Sequence, residues 1–275
     1  MCIRDSDSVD FYLKKGVVHG LLGENGAGKS SLMNVLSGIY IPEQGTIKIQ
    51  NKKIERLNPE LASSLGIGMV HQEFRLIENF TIKDNLTLSK ANIFLENFKE
   101  AYLKYSDIFS LNSSYNTLVK DLSVGEKQKV EIMKLIFKNS AIMLLDEPTA
   151  VLTPQETTQL KKSLETLSKE DEKTIVLITH KLKEIKDFTE TIFVMKNGKM
   201  VAENLQTDEV SDKHLIELMM GEIKTMSFKK DNLKGETKLE VQNISLINND
   251  EINVLKDISF NIKSGEILGL SLIHI

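Results

Sequence analysis

Gly23-Glu24-Asn25-Gly26-Ala27-Gly28-Lys29-Ser30-Ser31 fits the pattern G-x-x-x-x-G-K-[ST], and reading it decides the fold. The glycines let the backbone wrap tightly and bring successive N–H groups to one point. Those donors, with the positive end of a following helix, hold a polyphosphate. In this pattern Lys29 reaches the β- and γ-phosphates and the Ser30 hydroxyl ligates Mg²⁺. The context agrees: Val17 to Leu22 reads as a buried strand, and Ser31 to Leu36 as the helix after the loop.

Composition narrows the class. The chain has 275 residues, 41% of them hydrophobic, enough for one large α/β domain and part of another. No run approaches the roughly 18 apolar residues of a membrane span. A net charge of −4 argues against a general nucleic-acid binder. The one cysteine, Cys2, allows neither a disulfide framework nor a zinc site within the chain, which fits a reducing cytosol. Met1 to Asp10 lacks the apolar stretch of a secretory signal.

Working outward, Asp7 to Leu13 is expected to be an edge strand that Lys14-Lys15-Gly16 turns into the strand before the loop. Beyond the loop helix, Gly38 ends the helix, and Thr46 to Gln50 alternates like a half-buried strand. Asn58-Pro59 caps a short helix, and Gly66 to His71 is a short strand leading to Gln72. Residues 74–140 carry helical signals and few strand signals, notably Glu96 to Leu111 and Val124 to Phe137. They are expected to form a helical insertion in an α/β core.

Strand–helix alternation then resumes. Ala141 to Leu145 is a strand, and Thr153-Pro154-Gln155-Glu156 opens a helix with cap, proline and capping-box acid. Thr174 to Thr179 and Thr191 to Met195 are strands flanking a short helix at Lys181 to Asp187. Asn197-Gly198 is a hairpin turn into Met200 to Ala202, and Ser211 to Met220 a helix closed by Gly221. Met219-Met220 is expected to pack in the core.

The Lys-rich, weakly patterned residues 222–237 read as a linker. Past it the chain repeats itself. Phe260-Asn261-Ile262-Lys263-Ser264-Gly265-Glu266-Ile267-Leu268-Gly269-Leu270 aligns with Phe11 to Leu21, Gly265 standing 249 positions after Gly16. Such a period suggests a second copy of the whole domain.

Four stretches complete a chemistry around the loop. Met143-Leu144-Leu145-Asp146-Glu147 is an apolar strand ending in two acids. Asp146 is expected to hold Mg²⁺, and Glu147 to polarise an attacking water. Ser123-Val124-Gly125-Glu126 is a capping box that opens a helix whatever its function. The same capped N-terminus, with a glycine beside it, is also a phosphate contact. Gln72 and His180 are uninformative alone, since a lone His at a strand end is more often structural. Only the ordered set gives them meaning.

That set resembles the ATP-binding cassette of ABC transporters from about Asp7 to Gly221. Walker A lies at 23–30, the Q-loop at Gln72, the signature at 122–126, Walker B at 142–147 and the switch histidine at His180. The resemblance implies a P-loop NTPase fold, with a mainly parallel mixed sheet, an antiparallel β edge and a helical subdomain at about 74–140. It implies that Gln72 contacts Mg²⁺ and relays to a membrane subunit. It places His180 on the γ-phosphate, and Ser123 and Gly125 on the γ-phosphate of ATP held by an opposite cassette. The implied domains are a first cassette at 7–221, a linker at 222–237 and the start of a second cassette at 238–270.

Two cassettes in one chain resemble the ATPases of bacterial sugar and nucleoside importers. Met69 to Phe74, Asn79 to Ile82, Leu122 to Gly125 and Pro148 to Glu156 look closer to the nucleoside branch, with ribose and galactose import the alternative. Val124 and Glu126 depart from the commonest signature, L-S-G-G-Q. Glu126 beside a γ-phosphate would be repulsive, so it is expected to face away and serve as the cap. Many cassettes carry Asp at the position of Thr153; either residue caps a helix. The adenine-stacking aromatic expected just before Asp7 is missing. Residues 1–6 and 271–275 read as non-native ends resembling translated adaptor sequence, so a fragment of a chain of roughly 500 residues is expected.

The expected function is therefore ATP binding and hydrolysis with Mg²⁺, driving nucleoside import. The expected partners are integral membrane permease subunits, a second cassette of the same chain and, indirectly, a substrate-binding lipoprotein. Nucleic acid is not among them. The expected location is the cytoplasmic face of the membrane, as a peripheral subunit. A tandem cassette acting on ribosomes would need a long helical linker, for which 222–237 is too short. An inactive nucleotide-binding module is disfavoured by the presence of both Glu147 and His180.

Overall fold

The computed structural model describes residues 9–88, 97–221, 235–247 and 253–269. It divides into two compact units, Met1–Ile223 and Lys224–Ile275. In the first, β1 (Val18–Leu22) leads through the glycine loop to α1 (Lys29–Leu36). The hairpin β2 (Ile47–Ile49) and β3 (Lys52–Ile54) follows, then α2 (Pro59–Ser64) and β4 (Ile67–Val70). The helices α3 (Ile82–Thr87), α4 (Phe98–Ile108) and α5 (Val124–Phe137) come next. The chain continues with β5 (Ile142–Asp146), α6 (Pro154–Lys169), β6 (Thr174–Thr179) and α7 (Leu182–Phe188). The unit closes with β7 (Thr191–Lys196), β8 (Lys199–Gln206) and α8 (Asp212–Met220).

The main sheet runs β4-β5-β6-β1-β7-β8. Its first five strands are parallel, and β8 returns antiparallel from β7, as expected of a mainly parallel mixed sheet. Parallel strands covered on both faces read as continuous apolar runs, and β6 is buried along its whole length. The pleat sends alternate side chains to opposite faces. Met143, Leu145, Ile175 and Leu177 join the core beneath α4, α5 and α6. Leu144, Val176 and Ile178 join the other core, with Leu32 and Met33 of α1 and Ala62 of α2. Burying a Leu or Ile side chain is worth about 1.5–3 kcal/mol, so these two faces fix the register of the strands that carry the site.

Residues 74–140 hold α3, α4 and α5 and no strand among the described residues. Their aromatic side chains pack on one another, Phe98 tilted against Phe137 at 5.4 Å and stacked on Tyr102 at 6.0 Å. They share one apolar cluster with the sheet.

Three expectations need correction. Among the described residues 9–13 there is no strand, although Val9, Phe11 and Leu13 do face the core, with the Phe11 and Phe193 rings 4.7 Å apart. Alternation sets which side chains turn inward, but a strand also needs ladder hydrogen bonds to a neighbour, and residues 9–13 pair with none of the described strands. Strand β8 runs to Gln206 rather than stopping at Ala202. Met219 is buried, but Met220 is 61% exposed, because successive helical residues cannot share one face.

The second unit is an antiparallel hairpin of β9 (Thr237–Ile247) and β10 (Asn253–Lys263). Gly265 has φ +76° where its counterpart Gly16 has φ +69°. Residues 1–6 and 271–275 and most of the expected linker lie outside the described residues. Among the described residues, no helix is long and apolar enough to cross a membrane.

Candidate nucleotide-binding site

The site forms at the C-terminal ends of the parallel strands, where ligands gather in open α/β sheets. β1 delivers the glycine loop. Gly26 and Gly28 adopt φ +82° and +100°, the left-handed region that admits glycine without cost. Gly28 caps α1 in that conformation, leaving the helix N-terminus open to an anion. A Cβ on Gly23 would lie 2.5 Å from the carbonyl oxygen of Met195, so no side chain fits there. Lys29 is buried; its Nζ donates to the carbonyls of Gly23 at 2.7 Å and Glu24 at 2.9 Å. Burial lowers its pKa, while the charges of Glu147, Asp146 and Glu24 oppose the shift. Ser30 stands exposed at the first turn of α1, and Ser31 follows half-buried.

β5 delivers the acids. Asp146 ends the strand, and burial and the neighbouring Glu147 raise its carboxyl above the usual range against the pull of Lys29. Glu147 has φ +46°, a conformation that costs a non-glycine residue about 1–2 kcal/mol. Its N–H donates to the carbonyl of Ile178 at 2.9 Å, and its carbonyl accepts from Ala150 N–H at 3.1 Å. The strained turn aims the carboxylate at the end of β6, where His180 Nδ1 lies 2.5 Å from Glu147 Oε1. His180 is braced through the preceding residue. The Thr179 hydroxyl donates to Glu184 at 2.9 Å and accepts from Lys181 N–H at 3.1 Å.

Lys29, Asp146 and Glu147 are thus within electrostatic reach of one another, and His180 joins them through Glu147. Gln72 leaves β4, whose neighbour β5 carries Asp146; it is exposed, and its side chain makes no hydrogen bond among the described residues. Ser123 and Gly125 make their contacts with the acids that cap α5 and α6. Ser123 caps α5, its hydroxyl accepting from Glu126 N–H at 3.2 Å, while Glu126 Oε2 accepts Ser123 N–H at 3.0 Å. Glu126 Oε1 also accepts from the Ser113 hydroxyl at 2.5 Å, so the acid serves the cap, as expected. A Cβ on Gly125 would lie 2.2 Å from Glu156 Oε1, so this glycine admits the acid that caps α6.

Some supports of the site were not read from the sequence. The β7–β8 turn buttresses the glycine loop, with Gly198 N–H donating to the Ala27 carbonyl at 3.0 Å. A Cβ on Gly28 would meet Gly198 Cα at 3.3 Å. Asn197-Gly198 was legible as a turn, but nothing local says what it touches. Glu131 and Lys134 of α5 likewise reach the segment after Gln72, as detailed below.

The chemistry of the donor set suits a hard divalent cation bound chiefly through its ligand's phosphates. Ser30 offers a hydroxyl and Asp146 a carboxylate, and Mg²⁺ is commonly held by one or two such protein groups plus phosphate and water. Among the described residues there is no cluster of three or more His, Cys, Asp or Glu side chains that could hold a metal by itself.

The sequence profile of the ABC transporter family matches residues 6–150. The chain is 38% identical over 274 residues to the nucleoside import ATP-binding protein NupA of Lactococcus lactis, covering 97% of this chain and 53% of NupA. It is 39% identical over 276 residues to the galactose/methyl galactoside import ATP-binding protein MglA of Clostridium perfringens, covering 98% of this chain and 52% of MglA. It therefore spans about half the length of these curated relatives. Among solved structures, it resembles a dimeric ATP-binding cassette in a post-hydrolysis state bound to ADP and Pi. There the TM-score is 0.64 and the identity 27%, covering 73% of this chain and 90% of that one.

Proposed function

The chain belongs to the ABC transporter family, and on that premise we propose that it is the ATP-hydrolysing part of an importer for nucleosides. The observation that carries this reading is the gathering of Lys29, Asp146, Glu147 and His180 at the C-terminal ends of the neighbouring strands β5, β6 and β1. Lys29 and the amides of Gly23 to Ser31 hold the triphosphate. Ser30, Asp146 and Gln72 would hold Mg²⁺, which would neutralise charge on the phosphate oxygens. Glu147 orients a water for in-line attack and accepts its proton. His180 holds the Glu147 carboxylate in place and reaches the γ-phosphate. Positioning and charge neutralisation supply most of the rate.

Ser123 and Gly125 serve the nucleotide of a partnering cassette; within this chain their contacts are with Glu126 and Glu156. The partnering cassette is the second copy begun at residue 238. Permease subunits receive the work at the cytoplasmic face of the membrane, and a substrate-binding lipoprotein acts through them.

Nucleosides are favoured over sugars by Asn79-Phe80-Thr81 and by Pro148 to Glu156, together with the similarity to NupA and to the guanosine import ATP-binding protein NupO of Bacillus subtilis. The comparable identity to MglA keeps galactose-type sugar import as the second reading.

Two experiments test the proposal. Lys29→Ala should abolish ATP hydrolysis while leaving the thermal transition in place, and unchanged turnover would contradict it. A strain lacking the complete gene should lose uptake of labelled nucleosides and keep uptake of ribose; loss of ribose uptake alone would move the protein to sugar import.

A further inference from the structure

Three residues beyond Gln72, one helix takes both backbone polar groups of Arg75. Glu131 Oε1 accepts the Arg75 N–H at 2.5 Å, and Lys134 Nζ donates to the Arg75 carbonyl at 2.7 Å. Glu131 and Lys134 are three apart on α5, so they rise from the same side of the helix. Glu131 is only 5% exposed. Burying a carboxylate is costly unless charge and hydrogen bonds compensate it, and packing a loop on a helix needs only apolar side chains. A charged pair at this position therefore calls for a reason beyond packing. Burial lowers the pKa of Lys134, and the charge of Glu131 opposes the shift.

The helix that grips Arg75 is also the helix that Ser123 caps and whose first turn contains Gly125. A single 14-residue helix transmits displacement from one end to the other because its backbone bonds are internal. A second tie between Glu78 and Lys127 (2.9 Å) lies on an exposed rim, Glu78 being 66% exposed. Such a pair contributes little; further along, Lys120 N–H donates to the Glu78 carbonyl and Val119 N–H to the Phe80 carbonyl, both at 3.0 Å, but these ties lie beyond Arg75 and leave the residues next to Gln72 to the Arg75 grip.

We propose that Glu131 and Lys134 are positioning residues that clamp the segment bearing Gln72 to the helix bearing Ser123 and Gly125. The two groups then move as one body when a nucleotide is engaged. The proposal rests on the ATPase reading above for its consequence, and on the geometry alone for the clamp.

The test uses the 275-residue chain with Glu131→Ala, Lys134→Met and Gln72→Ala, alone and combined. Without nucleotide, amide exchange across residues 72–77 should be faster in both α5 variants; unchanged exchange would overturn the clamp. With Mg-ATP, each should lower turnover by roughly ten- to a hundredfold through misplacement of Gln72, leaving ATP binding in place. Glu131→Gln, which keeps an acceptor oxygen, and Lys134→Arg should restore most of the rate. In the Gln72→Ala background the same α5 substitutions should change turnover little, because the segment no longer carries the group it positions. An equal fall in both backgrounds would make the pair merely structural and overturn the proposal. Should Glu131→Ala fail to fold, the half-exposed Lys134 decides by the same cycle. Turnover that survives Lys29→Ala would instead sink the ATPase reading, with amide exchange still testing the clamp.

Discussion

His180 Nδ1 and Glu147 Oε1 lie 2.5 Å apart, bridging the ends of two neighbouring parallel strands. Glu147 holds φ +46° there, a left-handed conformation that costs a non-glycine residue about 1–2 kcal/mol. Strained backbone gathers where a side chain must be aimed. Here the aim fixes a carboxylate within electrostatic reach of Lys29.

If Glu147 is the general base, Glu147→Gln should keep the shape and lose the proton acceptor. Hydrolysis should slow by about 10²–10⁴, while fluorescent-ATP titration still shows Mg-ATP binding. Loss of binding would make Glu147 a structural or metal-holding residue.

The glycines of the loop should separate by cause. At Gly23 the new methyl meets a carbonyl oxygen at 2.5 Å, and Gly23→Ala should cost about 1–3 kcal/mol as overpacking. At Gly26 nothing stands within 4 Å, but φ is +82°, and Gly26→Ala should cost about 1–2 kcal/mol as backbone strain alone. Gly23→Ala should also displace the loop from Met195 and weaken ATP binding more than Gly26→Ala. Urea unfolding with ATP titration measures both, and equal losses of ATP affinity would contradict the distinction.

His19 should make stability depend on pH. It is buried on β1, its Nδ1 2.6 Å from the Thr191 hydroxyl and its Nε2 2.9 Å from Lys14 N. Burial lowers its pKa, against smaller opposing effects of the Lys14 carbonyl and Glu190. The unfolded histidine titrates near about 6.5. Below that value the unfolded chain binds a proton that the folded chain refuses. The stability from neutral His19 is therefore complete above about pH 6.5 and is lost as pH falls toward the lower folded pKa. His19→Gln, which retains a donor and an acceptor, should flatten this slope in urea midpoints measured from about pH 8 to 5. An unchanged slope would assign the dependence to other groups.

What the sequence disclosed follows the range of the interactions. α5 and α6 begin where Ser123 with Glu126, and Thr153 with Glu156, specify them, because a capping box is a local bond set written in four residues. The same device at Thr81 and Asp84 opens α3, a helix not expected from its short apolar pattern. β3 was missed because Lys52-Lys53-Ile54 carries too little apolar alternation to register. Its turn, with Gln50 and Asn51 at φ +49° and +64°, is what pairs it with β2. Site residues on strand ends were legible through their motifs. Their supports, Gly198 against Ala27 and Glu131 against Arg75, join residues 171 and 56 positions apart, and no periodicity records such pairings.

The central claim is that this chain holds one Lys29–Glu147 site whose completion needs the Ser123–Gly125 end of another cassette. The most direct measurement is ATP turnover per chain at saturating Mg-ATP across a roughly hundredfold dilution series, for the 275-residue chain and its Glu147→Gln variant. Pairing of two copies is bimolecular, so turnover should be slow and rise with concentration. Appending the full second cassette should remove most of that rise, because the effective concentration of a tethered partner reaches about the mM range. Glu147→Gln should stay near zero throughout. High turnover independent of concentration, or turnover that survives Glu147→Gln, would contradict the account.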